Sequence, residues 1–285
     1  MKAGFWEAPE GADDAMTIMP LDLGDDATRP ASGAVSFLAT ADGAALAARC
    51  RQAAALLPEV AAALDGQSAR ATGRLFDLTE FGAEDRAIVE QTLGEGEVSG
   101  VVALPDGIVA QVQEATMAGL WRVRFQNAEG ALVADYLEVA SVPEIVRRAA
   151  VVNAGAVEVG APPSGAMNVM PVLAEVRERA AAFAPGSPTH VVNFSLLPMS
   201  PEDMGHLQAQ LGVGAVRLIS RGYGKCRVSS TGAKHVWSVQ YLNAMDAIIL
   251  DTLEIGDPPG AICAADEDFR DSAERVREIH DAYFS

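Results

Sequence analysis

Apolar positions along the chain switch between two periods. Residues 44–64, 167–183 and about 264–282 carry apolar side chains at three- and four-residue spacing, which predicts helices. Ser200-Pro201-Glu202-Asp203 is a helix start, with serine as N-cap, proline in the first turn and two acids facing the positive end of the dipole. That helix stops at Leu211-Gly212, and a second one runs from about Ala83 to Leu93 and stops at Gly94. Elsewhere the period is two. Trp121-x-Val123-x-Phe125 and Trp237-x-Val239-x-Tyr241 alternate with polar residues, as half-buried strands do. Asn127-Ala128-Glu129-Gly130 and Asn243-Ala244-Met245-Asp246 are turns into further strands that end at Val139 and Ile255, and Pro105-Asp106-Gly107 is another hairpin turn.

These elements occur twice. Residues 76–98 match 194–216 without a gap at an offset of 118, and residues 121–143 match 237–259 at an offset of 116. Together they share seventeen identities in 46 pairs, among them Gly94/Gly212, Gly96/Gly214, Trp121/Trp237 and Asn127/Asn243. Chance would give about three at ordinary residue usage. The expected organisation is an acidic leader (1–45), a first repeat unit (46–155) and a second (160–285). The fold class is α+β. Each unit is expected to be a helix followed by a three- to four-stranded antiparallel meander, with helices packed on one face.

Composition limits the function. Among 285 residues, 39 Asp and Glu against 21 Lys and Arg give a net charge of −18, which argues against general binding to nucleic acid or anionic lipid. Three widely spaced cysteines (Cys50, Cys226, Cys263) make neither a disulfide framework nor a zinc site. No apolar run is long enough to span a membrane, and the first residues lack the apolar core of a signal peptide, so a cytoplasmic protein is expected. The leader holds eight acids against Lys2 and Arg29. It reads either as a partly disordered tail or as a docking arm that uses Met16-Thr17-Ile18-Met19-Pro20-Leu21 as an apolar anchor.

Candidate chemistry is sparse. The pairs Gly94-x-Gly96 and Gly212-x-Gly214 follow a helix and precede a strand, the reverse of the order a phosphate loop needs, so they read as structural. His190, His206, His235 and His280 have no ligand-spaced partners, and Ser195 is outside any nucleophile elbow. Glu138 and Glu254 recur in both copies, which suits a shared structural role. No catalytic residue, metal site or cofactor is assigned. What differs between the copies is charge. Residues 99–119 contain two acids and no base, whereas 217–235 contain Arg217, Arg221, Lys225, Arg227 and Lys234 and no acid. With Tyr223 on a glycine-flanked turn and Cys226 beside it, this stretch is the candidate partner-binding surface. A solvated face whose charges balance nearby acids is the plainer alternative. Strand alternation points Cys226 away from Lys225 and Arg227, which weakens a reactive-thiol reading.

The string His190-Val-Val-Asn-Phe-Ser-Leu-Leu-Pro-Met199, Arg221-Gly-Tyr-Gly-Lys-Cys-Arg227 and Trp237-Ser-Val-Gln-Tyr-Leu-Asn243 resembles the HupH/HyaF family of hydrogenase expression/formation proteins. The likeness is dense over 167–275 and weaker over 46–148. It implies a non-catalytic, chaperone-like accessory factor for maturing an uptake [NiFe] hydrogenase. The implied partner is the precursor of the iron–sulfur small subunit, with a thioredoxin-like accessory protein as a possible companion. No catalytic residue carries over from the family. A scaffold subunit retained in the hydrogenase complex, or an enzyme using an Arg221/Tyr223/Cys226 pocket, are the competing classes.

Overall fold

The computed structural model describes residues 43–162, 164–222 and 224–284. The first unit runs α1 (Gly43–Arg49), α2 (Arg51–Asp65), β1 (Arg74–Asp77), α3 (Ala83–Leu93), β2 (Val98–Ala103), β3 (Val109–Glu114), β4 (Leu120–Gln126), β5 (Leu132–Val139) and α4 (Glu144–Val152). The second runs α5 (Val169–Ala182), β6 (His190–Asn193), α6 (Pro201–Leu211), β7 (Val213–Ser220), β8 (Lys225–Thr231), β9 (Val236–Leu242), β10 (Ile248–Ile255) and α7 (Asp266–Phe284). The fold is mixed helix and antiparallel sheet, of the α+β class.

The ten strands among the described residues form one antiparallel sheet in the order β1-β5-β4-β3-β2-β7-β8-β9-β10-β6. The order is a palindrome of the repeat. At its centre β2 pairs with β7, and Gly100 lies opposite Leu218. These two are counterparts at the offset of 118, so a pseudo-two-fold axis passes between them. β1 and β6 were not anticipated. Each is a four-residue strand on the outer edge, hydrogen-bonded to β5 or β10, and is too short for periodicity to register.

The repeated residues close the turns. Asn127 Oδ1 accepts the N–H groups of Glu129 and Ala131, and Asn243 Oδ1 accepts those of Met245 and Ala247, the same Asx turn twice. Gly94 and Gly212 end α3 and α6 at φ 59° and 63°. A Cβ on Gly96 or Gly214 would run into the backbone of the neighbouring strand at Ala115 or Thr231. Both glycine pairs are thus a helix stop followed by a close strand approach.

Three expectations need correction. The helix over 44–64 is broken at Cys50, which has φ −106° and ψ 60°. Helices lie on both sheet faces. Arg122 reaches Glu90 of α3 on one face, while its neighbour Trp121 points the other way into a cluster with Val146 and Ala150 of the unanticipated helix α4. The closing helix α7, assigned by sequence order to the second unit, packs instead on α1 and α2. There Phe269, Ala273 and Val276 join the core of the first unit. An amphipathic pattern shows that a helix has an apolar stripe but not which unit receives it.

Candidate functional site

The sheet face that bears α2 and α3 at one end and α5 and α6 at the other is polar across the middle. Register places two rows of residues side by side there. One reads Asp135, Arg124, Gln111, Val101, Arg217, Ser229, Ser238 from β5 to β9. The other reads Arg122, Gln113, Ser99, Ile219, Arg227, Gln240, Asp251 from β4 to β10. The pseudo-two-fold axis exchanges the rows. Arg122 answers to Ser238, Arg124 to Gln240, Arg217 to Ser99 and Arg227 to Gln111. At each position one unit carries arginine and the other an uncharged polar residue.

The arginines are held differently. Arg122 forms a two-pronged bond to Asp135, Nε to Oδ1 at 3.0 Å and Nη2 to Oδ2 at 2.7 Å, with both side chains buried. Arg124 Nη2 lies 3.2 Å from Glu90 Oε2. These two are neutralised within the first unit. Arg217, Arg221 and Arg227 have no carboxylate at ion-pair distance among the described residues. Arg221 Nη1 donates to Ser99 Oγ at 3.1 Å, and Arg227 Nε is buried without a hydrogen-bond partner. Lys225 Nζ is tied to Asp246 Oδ1 at 2.7 Å. The β7–β8 hairpin therefore presents three guanidinium groups with no carboxylate at ion-pair distance among the described residues, Arg227 acting on Asp246 only from farther away, on one face of a protein of net charge −18.

The other candidates fall elsewhere. Cys226 points to the opposite face, 3% exposed among Val228, Trp237 and Val239. Burial, and secondarily the Glu254 carboxylate, push its thiol up to about 12. Lys234 is exposed in the β8–β9 turn, at the far end of β8 from Lys225. Tyr223 lies outside the described residues. The Arg221/Tyr223/Cys226 grouping is thus divided by the sheet itself, at least between Arg221 and Cys226. Arg122 and Arg124 escaped sequence reading, although they too differ between copies. Their signal was alternation along β4, which puts both on one face, combined with the change to Ser238 and Gln240. Among the described residues no three His, Cys, Asp or Glu side chains come together as a metal site. None of the described helices is long and apolar enough to cross a membrane.

Beside the hairpin the second unit exposes apolar side chains. Leu196 is 80% exposed, Met245 84% and Ile249 62%. Ser195 Oγ accepts the Asp251 N–H at 3.2 Å, which brings the turn carrying Leu196 against β10, and the Lys225–Asp246 bond holds the turn carrying Met245 against β8. In the first unit, Leu78 is the counterpart of Leu196. It is fully buried in the cluster formed with α1, α2 and α7.

The family described as HupH hydrogenase expression protein, C-terminal conserved region, matches residues 50–153 and again 166–283. The chain belongs to the HupH family. A hydrogenase expression/formation protein HupH from Rhizobium leguminosarum bv. viciae is 56% identical over 284 residues, covering 100% of both chains. HoxQ of Cupriavidus necator, likewise called a hydrogenase expression/formation protein, is 41% identical over 80% of each chain. The hydrogenase-1 operon protein HyaF of Escherichia coli K12 is 34% identical over 71% of each. The one HupH region matches both units, in agreement with the internal duplication.

Proposed function

We propose that this HupH-family chain is a cytoplasmic accessory factor in the maturation of an uptake [NiFe] hydrogenase, and that it acts by binding. Its client is the immature iron–sulfur small subunit, received on the face of the β7–β8 hairpin. The relatives' names support the maturation setting. The observation that carries the binding mode is the set of three guanidinium groups, Arg217, Arg221 and Arg227, with no carboxylate at ion-pair distance among the described residues. Guanidinium groups lose little hydration on docking and fork onto carboxylates, so they suit a binding surface. A thiol reaction at Cys226 is disfavoured by geometry, because the sulfur is buried on the opposite face and its pKa is raised.

The test is affinity capture of the tagged full chain from a host making hydrogenase, with mass spectrometry of what stays bound. Retained small-subunit precursor is the expected result. Combining Arg217→Gln, Arg221→Gln and Arg227→Gln should lower that retention by about tenfold or more while thermal unfolding stays unchanged. Undiminished capture by the folded triple variant would remove this face from the reading.

A further inference from the structure

From Arg227 the register runs through Gln240 to Asp251, beside which the turn of Leu196 is held, and the turn of Met245 is tied to Lys225. One occupant with cation-binding and apolar character would therefore span the hairpin and these exposed side chains. Such a segment must be apolar over a few residues and acidic immediately beyond. The chain itself contains one. Met16-Thr17-Ile18-Met19-Pro20-Leu21-Asp22-Leu23-Gly24-Asp25-Asp26 has five large apolar residues interleaved with and followed by three acids, and no base. It lies outside the described residues, which begin at Gly43.

We propose that residues 16–26 dock on the open face of the second unit of the same chain. The apolar run sits against Leu196, Met245 and Ile249, and Asp22, Asp25 and Asp26 face Arg217, Arg221 and Arg227. Reach is sufficient. Sixteen residues lie between Asp26 and Gly43, and the seventeen steps at about 3.3 Å each span roughly 55 Å. The whole ten-stranded sheet is about 43 Å wide at ~4.8 Å per strand. The first unit supplies an internal precedent, since its own counterpart of Leu196 is covered by helices of this chain. Charge complementarity supplies the direction, because these three arginines have no carboxylate at ion-pair distance within the described residues. The leader is then an intramolecular competitor for the surface proposed for the client, held at an effective concentration set by the linker and not by the solution.

The experiment is hydrogen exchange followed by mass spectrometry on the intact chain, with no client present, at about 50 mM and about 500 mM salt. Three proteins are compared: wild type, Asp22→Asn/Asp25→Asn/Asp26→Asn, and Arg217→Gln/Arg227→Gln. The leader substitutions lie outside every described core contact, so they report docking even where a face variant loses stability. At low salt, residues 16–26 should exchange about tenfold slower in wild type than in either variant, and the three should converge at high salt. Equal exchange in all three at low salt overturns the proposal. Protection that grows with protein concentration also overturns it, by assigning the segment to a second copy. Client capture distinguishes the two readings. Leader exchange as fast in wild type as in the variants, with capture still dependent on the arginines, sinks only the docking of the leader, whereas leader protection with capture indifferent to the arginines sinks only the client surface.

Discussion

The two units share a backbone plan and differ in what they leave open. In the first, Leu78 is fully buried and Arg122 is locked to Asp135. In the second, Leu196 is 80% exposed, and Arg217 and Arg227 lack carboxylate partners among the described residues. Identical residues in the repeat, such as the Asx-turn asparagines and the helix-ending glycines, build the sheet. The divergent positions determine whether a unit is closed upon itself or available. Duplication thus gives one continuous sheet with a finished half and an open half.

The sharpest break in this comparison comes from placing a charge at Leu78 and at Leu196. Leu78→Asp buries a carboxylate in the cluster of α1, α2 and α7, and should cost on the order of 5 kcal/mol or prevent folding. Leu196→Asp puts the same charge in solvent and should stay within about 0.5 kcal/mol of wild type. Urea unfolding of the pair measures both. Similar losses would mean that Leu196 is covered, contrary to its exposure here.

A second pair separates the units by polar anchoring. Asp203 is fully buried, and Oδ1 accepts the N–H groups of Met167, Asn168 and Val169 while Oδ2 accepts that of Ser200. One carboxylate thereby caps α5 and closes a capping box on α6. Its counterpart Asp85 accepts the N–H of Ala53 in α2 at 2.8 Å. Asp203→Ala should therefore cost about 3 kcal/mol, and Asp85→Ala about 1 kcal/mol. Burial pushes Asp203 up, but the backbone N–H groups outweigh it and hold the carboxyl at about 2. Because that value is depressed, its contribution is present above the unfolded pKa near 3.8 and fades as pH falls toward 2. Acid unfolding of Asp203→Ala should lack that component.

Much of this plan was legible in sequence, because the repeat forces consistent elements. Gly94 and Gly212, Asn127 and Asn243, and the alternation around Trp121 and Trp237 each mark a local event of helix end, turn or strand. What escaped depends on distant partners. The seat of α7 on the first unit rests on Phe269 and Val276 meeting α2 more than two hundred residues earlier. The composite face escaped because its rows cross the unit boundary at β2–β7. A unit-by-unit comparison of 99–119 with 217–235 found Arg217 and Arg227 but could not see that Arg122 and Arg124 lie on the same face and are already neutralised. It also grouped Cys226 and Lys234 with arginines from which strand alternation and a turn separate them.

The shared acids offer a subtler test of symmetry. Glu138 lies opposite Trp121 and Glu254 opposite Trp237, and each occurs at the same place in its unit. Burial pushes Glu138 up to about 7 despite the Glu144 N–H it accepts, and burial also raises Glu254. Because the folded pKa exceeds the unfolded one, folding takes up a proton between pH 4.5 and 7, and stability falls as pH rises through that window. Glu138→Gln keeps an oxygen to accept the Glu144 N–H and removes the ionisation. The variant should match wild type near pH 4.5 and exceed it by on the order of 1–2 kcal/mol at pH 8. Glu254→Gln should shift stability in the same direction. Denaturant titrations at both pH values check this. A gain at pH 4.5 equal to that at pH 8 would locate the effect in packing instead of ionisation, and a gain confined to Glu138 would show that the two buried acids, alike in sequence, are solvated differently in the closed and open halves.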